Sequence, residues 1–421
     1  MKKLKREWIS MIGCAAALAG SAWAQPVVVG TGDPNLDVPA VQAAVDQGGN
    51  VTLRGHFSFD RSPTAPSGSI YNRMVTVSKS VVISGTVDAS NSLPMIQGGD
   101  WPFFIDAGDA HVTIQRLHFV GPSSGAIWIY SAGGILVNAC QIERVQPTVE
   151  FGMQAAQPNP VSSAIFVGAN PRPPNAANPG TPGNFSGTLA ILNNDIDVGA
   201  MPNAQTLGIV MFSVGRSPDK EVNILVSGNK IRNLTEPGIN FRVVGGRAFA
   251  ERNVVITGDV EGGAVNPDVI RVVGSGSYII AHNVIDCGWT DGTATGINVI
   301  GQPPPMAPAT NAIIVDNDIT MSPGGGAVFG PNSAGIEIRG FAQGNAVLNN
   351  RIRGRANAAL VMLDQNGGMP GNNSLVLNDL VDFRSSLADI FVDVGVTNTF
   401  ILGPKASVMD GGTGTAFMPA R

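Results

Sequence analysis

Charged side chains make up only 14% of the 421 residues, so the few that recur at strand spacing stand out. Asp268 and Arg271 lie three residues apart, while Arg242, Glu337 and Arg339 fall in two matching segments, Gly238-Ile239-Asn240-Phe241-Arg242 and Gly335-Ile336-Glu337-Ile338-Arg339. A carboxyl group within hydrogen-bond reach of a substrate can move a proton, and a guanidinium beside it can hold an anionic group. Asp268, Arg271, Glu337 and Arg242 are therefore the candidate catalytic residues. In a lyase, Arg271 or Arg242 would neutralise the carboxylate beside the abstracted proton; the sequence does not single out the base.

A second set has the character of a binding surface. Trp128 and Tyr130 in Ala126-Ile127-Trp128-Ile129-Tyr130, together with Phe166, present aromatic faces suited to sugar rings, and Asn240, Asn298 and Arg339 offer polar contacts to hydroxyls or carboxylates. These six are the candidate substrate-binding residues. The competing reading is structural: loops fold over the aromatics as a satellite core, and the charged residues pair with one another as a solvated ladder. His56, His111, His118 and His282 are scattered and read as structural or solvent-facing. No metal site or cofactor is expected, since zinc-type Cys/His spacing, a phosphate loop and a nucleophile elbow are all missing.

Strands must position both sets. With Ile127, Ile165, Ile209, Ile239, Ile297, Ile336 and Ile390 pointing inward, period-2 alternation turns the next residue outward. The outward row is then Trp128, Phe166, Val210, Asn240, Arg271, Asn298, Glu337, Val361 and Phe391. A second row, two residues on, holds Tyr130, Phe212, Arg242, Arg339, Leu363 and Asp393.

What stacks these strands is a repeat: a short aliphatic run, an Asn, a variable residue and another aliphatic, as in Ile314-Val315-Asp316-Asn317-Asp318-Ile319. Aligned on the Asn, the series runs Gly85, Leu117, Cys140, Asn194, Asn229, Gly258, Asn283, Asn317, Asn350 and Asn378, at spacings suited to one solenoid turn with variable loops. Asn and Gly both tolerate a left-handed bend, and stacked Asn amides can bond from coil to coil. The sequence thus predicts one all-β domain, a right-handed single-stranded parallel β-helix of about ten coils with a short N-terminal capping helix. Its 53 Gly and 29 Pro agree with many tight turns.

The chain divides into a signal peptide over 1–24, an N-terminal cap over 25–60, the β-helix over 61–403 with loop insertions at 146–162 and 168–187, and a C-terminal tail over 404–421. Lys2, Lys3, Lys5 and Arg6 precede an apolar run and an Ala22-Trp23-Ala24 cleavage site, so the protein is expected to be exported, periplasmic or secreted. Loss of that segment removes four basic residues and one acidic, taking the formal net charge from −5 to −8, which disfavours nucleic acid as a partner. No further apolar run is long enough for a membrane span. Asp37 is the expected N-cap of the capping helix, with Pro39 in its first turn. Cys140 and Cys287 are too few and too far apart for a disulfide scaffold and read as buried thiols.

Val41-Gln42-Ala43-Ala44-Val45, the segment Val75-Thr76-Val77 through Val81-Val82-Ile83-Ser84-Gly85, and the Asn-x-Ile and Gly-Ile repeats together resemble the pectin-lyase-like family of right-handed parallel β-helix proteins. The resemblance spans residues 38–400. It implies that the Gly-Ile strand is the first of each coil, that the ladder Asn lies between the second and third, and that a substrate cleft runs along the first strand. It does not imply one activity, because the family holds lyases, hydrolases, esterases, epimerases and proteins without known catalysis. The Asn-Thr-Asp, Asp-Asp, Gly-His-Gly and Trp-Ile-Asp-His signatures are absent. Arg351-Ile352-Arg353 approaches Arg-Ile-Lys, but Ile352 falls on the ladder repeat and should be core. Two functions stay open: binding, with or without cleavage as a lyase or glycoside hydrolase, of an extended polysaccharide, neutral or acidic, along the first-strand face; or a non-catalytic periplasmic or surface protein whose loops engage a protein or hydrophobic partner. Oligomeric state is open too.

Overall fold

The computed structural model describes residues 26–419 except 61–73, 149–159, 169–184, 186, 200, 202–203, 215–221, 244–245, 258–267, 290–293, 303–310, 325–332, 365–366, 369 and 404–406. Residues 1–24, expected as a signal peptide, and most of the two expected loop insertions lie outside the described residues. Among the described residues every strand-to-strand ladder is parallel, apart from one isolated antiparallel bridge at Thr148 and Val161. Among the described residues one sheet holds 12 strands, from Val75–Val77 through Ile239–Val243, Asp268–Val273, Thr295–Gly301 and Ala334–Gly340 to Val408–Asp410; the other holds 24, two in every turn but the last two, which give one each, with Val27–Thr31 and Gly49–Ser58 ahead of the first. The protein is a parallel β-helix, as the repeat predicts.

Twelve coils replace the expected ten or so. The two added coils both follow Asn378, the last member of the series, and open with Ile390–Val392 and Val408–Asp410. Residues beyond 403, expected as a tail, supply the last coil: Val408–Asp410 pairs with Ile390–Val392, and Ala416–Pro419 pairs with Phe400–Gly403.

The aliphatic residues of the first sheet line the interior. Ile127, Ile165, Ile209, Ile239, Ile270, Ile297, Ile336, Leu360 and Ile390 are all buried in one continuous core. Each such side chain contributes about 1.5–3 kcal/mol by leaving water, which sets the register, since a one-residue slip would turn the whole row outward. Cys140 and Cys287 are free and buried, and burial pushes the Cys140 thiol up to about 12.

Two local expectations are corrected. The helix Pro34–Val45 is capped by Asp33, whose carboxylate accepts from Asn35 N at 2.9 Å, with Pro34 in the first turn. Asp37, expected at the cap, lies inside the helix and is buried. Its carboxylate accepts from Thr31 N and Oγ1 at 2.8 Å, Gly32 N at 3.0 Å and Ser58 N at 2.8 Å, pinning the helix to the first coil. The second correction concerns the bend. The ladder runs Asn194, Asn229, Asn253, Asn283, Asn317, Asn350, Asn378, with Asn253 in the place expected for Gly258, which lies outside the described residues. The left-handed conformation falls on the preceding residue: Asn193, Gly228, Arg252, His282, Asp316, Asn349 and Leu377 all have φ between 51° and 67°. The ladder Asn is selected for its amide, and its neighbour makes the turn.

Candidate functional site

Hydrogen-bonded register carries the outward row along the first sheet without a break. Trp128 lies opposite Phe166, then Val210, Asn240, Arg271, Asn298, Glu337, Val361 and Phe391 in successive coils. Phe212 and Arg242 are neighbours in the second row, and Arg339 stands beside Leu363.

The N-terminal third of the row is packed shut. Trp128 and Phe166 are 5% and 1% exposed and form a cluster with Trp101, Val161, Leu207 and Val210, against which Phe104, Tyr130 and Phe212 also pack. Trp101 stands 6.3 Å from Trp128 and 6.2 Å from Phe166, centroid to centroid, and Phe104 is 4.4 Å from Trp128. The Trp128 indole N–H donates to Gly168 O at 3.3 Å. Their ring faces are spent on one another.

The middle third is polar. Arg271 Nε donates to Asp268 Oδ2 at 2.6 Å, and its Nη2 reaches Glu236 Oε2 at 3.8 Å. Two coils further, Thr295 Oγ1 donates to Glu337 Oε2 at 3.2 Å and Arg339 Nη1 to Glu337 Oε1 at 3.4 Å. Burial pushes the Glu236 carboxyl up to about 7, opposed by Arg271 and reinforced by Asp268. Burial does the same to Glu337, also to about 7, opposed by Arg339 and reinforced by Asp268. Burial disfavours the Arg271 charge, but Asp268 and then Glu236 outweigh it and hold the guanidinium above its ordinary value. Arg242 goes the other way, lowered by burial and then by the charge of Arg271, and stacks over Phe212 with its guanidinium carbon 4.6 Å from the ring centroid.

Glu236 is absent from the sequence-derived set. It stands ahead of Pro237, outside the alternating strand, and joins the cluster only through Arg271, 35 positions away in a later coil; its one sequence signal is a place ahead of Gly238-Ile239 close to that of Asp268 ahead of Ile270. The geometry also limits which carboxyls can cooperate. Glu236 and Glu337 lie three coils apart, about 14 Å at ~4.8 Å per coil, too far to flank one glycosidic bond at about 5–9.5 Å. Glu236 and Asp268 sit on adjacent coils and share Arg271, so they are the two carboxyls close enough to act on one bond.

Several polar atoms of this stretch are buried without a partner. Asn298 is 0% exposed with both Oδ1 and Nδ2 unsatisfied, and Asn240 Oδ1, Arg242 Nε and Arg339 Nε are buried and unpaired as well. Each such group costs about 1–3 kcal/mol if nothing meets it. Among the described residues, no group of three His, Cys, Asp or Glu side chains is placed to hold a metal ion.

These features define a parallel β-helix with an apolar, self-packed stretch and an unsatisfied polar stretch along one outer face. No family model matches the sequence. No curated protein matches it either. Among solved structures, similarity extends to PfbA, a surface adhesin of Streptococcus pneumoniae, at 10% identity and a TM-score of 0.42 over 92% of this chain and 91% of that one. It extends also to the tailspike protein of E. coli bacteriophage HK620 in complex with a pentasaccharide, at 12% identity and a TM-score of 0.43 over 94% and 78%. A third is the A-module of the Azotobacter vinelandii mannuronan C-5 epimerase AlgE6, at 15% identity and a TM-score of 0.31 over 91% and 95%.

Proposed function

We propose that the protein is exported and binds an extended polysaccharide along the outer face of the first sheet, centred on Asn240, Asn298, Arg242 and Arg339. One observation carries the reading: polar atoms of all four residues are buried and unsatisfied within a single stretch of register. A hydroxyl-rich polymer supplies donors and acceptors together, which suits a row that offers both amide oxygens and N–H groups. The self-packed aromatics move the contact surface away from Trp128, Tyr130 and Phe166 and toward the polar middle. If the bound chain is also cleaved, Glu236, whose carboxyl burial pushes up to about 7, is the proton donor, with Asp268 beside it across Arg271.

A panel of neutral and acidic polysaccharides tests this, with binding read by affinity electrophoresis and cleavage by released reducing ends and by absorbance of unsaturated uronate. Retardation by one glycan class, weakened about tenfold in affinity by Asn298→Leu, is the expected result. Absence of retardation by every glycan would favour the second reading, an interaction protein for an apolar partner. That reading is supported by the exposed Val394, Phe417 and Met418 near the last coil.

A further inference from the structure

We propose that Arg242 is the docking point for an anionic substituent of the bound glycan, a carboxylate or a sulfate ester; the proposal rests on the polysaccharide reading above and narrows it to acidic polymers. The other arginines of this face are matched. Arg271 is held by Asp268 and Glu236, and Arg339 by Glu337. Arg242 has no carboxylate partner among the described residues. Its cross-strand neighbours are Phe212 on one side and Val273 on the other, and Asn240 precedes it by two positions on its own strand. The one charge that shifts it is a like one, Arg271.

A half-buried guanidinium so placed is unfavourable by itself, because it loses hydration and receives no ion pair in return. The stack on Phe212 holds its plane in place but leaves Nε buried and without an acceptor. A guanidinium edge offers parallel N–H donors that match the two oxygens of a carboxylate or sulfate, and a preoriented fork loses little freedom on binding. Asn240 on the same strand and Asn298 two coils on carry further unpaired polar atoms in the first row, so an acidic glycan would meet Arg242 with its acid group and the asparagines with the hydroxyls of successive sugars. Glu236, Asp268 and Glu337 do not compete for the guanidinium, since each is already engaged by Arg271 or Arg339.

The test compares the full chain with Arg242→Gln and Arg242→Lys against three polymers: a neutral glucan, a polyuronate and a sulfated galactan. The wild type is expected to bind one acidic polymer and leave the glucan unbound; Arg242→Gln should weaken that binding about ten- to hundredfold, and Arg242→Lys should recover part of the loss. Which acidic polymer binds separates carboxylate from sulfate. Equal binding of the glucan, unaffected by Arg242→Gln, would overturn the anion proposal and leave the polysaccharide reading standing. Binding of none of the three would overturn both. Thermal unfolding guards against a structural role: an uncompensated cation predicts that Arg242→Gln unfolds at the same or a higher temperature than the wild type without ligand. A clear drop, or failure to fold, would show that the residue serves the scaffold and would overturn the proposal.

Discussion

Buried asparagine occurs in two settings here, the ladder from Asn194 to Asn378 and the outer row at Asn240 and Asn298, and the two differ in one respect. Along the inner ladder each amide is used up: Asn317 Oδ1 accepts from Asn283 N at 3.0 Å and from Asn283 Nδ2 at 2.9 Å, while its Nδ2 donates to Ile280 O and Asn350 Oδ1, both at 2.9 Å. On the outer face of the first sheet Asn298 is as deeply buried and uses neither amide atom. Because an unsatisfied buried amide is costly, a fully bonded row is scaffold, whereas an unbonded one is held for something the chain does not itself supply. Residue type and depth do not separate the two; satisfaction does.

The sharpest way to break this comparison is to make the same substitution in both rows. Asn317→Leu strands both donors of Asn283 and the oxygens of Ile280 and Asn350, and should cost about 3 kcal/mol or more in chemical denaturation. Asn298→Leu strands no partner among the described residues, so its stability should stay within about 1 kcal/mol of wild type while glycan affinity falls about tenfold. Equal losses of stability would erase the distinction between scaffold and site.

A pH titration of stability probes the outer row next. Glu236 and Glu337 are both pushed from 4.5 to about 7 by burial. A raised carboxyl pKa means that the folded state holds its proton more tightly than the unfolded chain. The stabilisation is therefore complete below about pH 4.5 and is lost as pH rises through about 7. Glu337→Gln removes one titration, and relative to wild type it should gain about 2 kcal/mol between those limits. A pH profile unchanged by Glu337→Gln would place that carboxyl in a watery setting and remove it from the buried cluster.

The sequence exposed the inner row more fully than the outer one, for physical reasons. Ladder asparagines recur at one place in a local pattern, and six of the seven ladder residues can be read directly. The miss is Asn253, whose preceding strand, Ala248-Phe249-Ala250, lacks the usual branched aliphatics, while Val254-Val255-Ile256-Thr257-Gly258 imitates Val81-Val82-Ile83-Ser84-Gly85. A second short ladder, Asn345 to Asn373 at 3.0 Å, stands at another bend and has too few rungs to show as a repeat. Alternation also yielded the order of the outer row, since register follows from period 2. Depth and pairing were not legible there. That Trp101 and Phe104 close over Trp128, or that Glu236 meets Arg271, depends on residues from different coils, and no local spacing encodes such contacts.

The smallest expected effect returns to the ladder and separates its two jobs, bonding and bending. Leu377 precedes Asn378, adopts φ 51°, and is 50% exposed. A left-handed Leu costs about 1–2 kcal/mol from its Cβ, whereas Asn occupies this region readily. One coil earlier Asn349 holds the same place, and its Nδ2 donates to Asp316 Oδ1 at 2.5 Å. Leu377→Asn should therefore relieve the bend, extend that exposed stack and raise stability by about 0.5–1 kcal/mol, measured by denaturant midpoint. Since the bonding amide of Asn378 is untouched, a gain would establish that the turn and the ladder contribute separately; a loss would mean that the Leu side chain packs on the outside of the coil more than its exposure suggests.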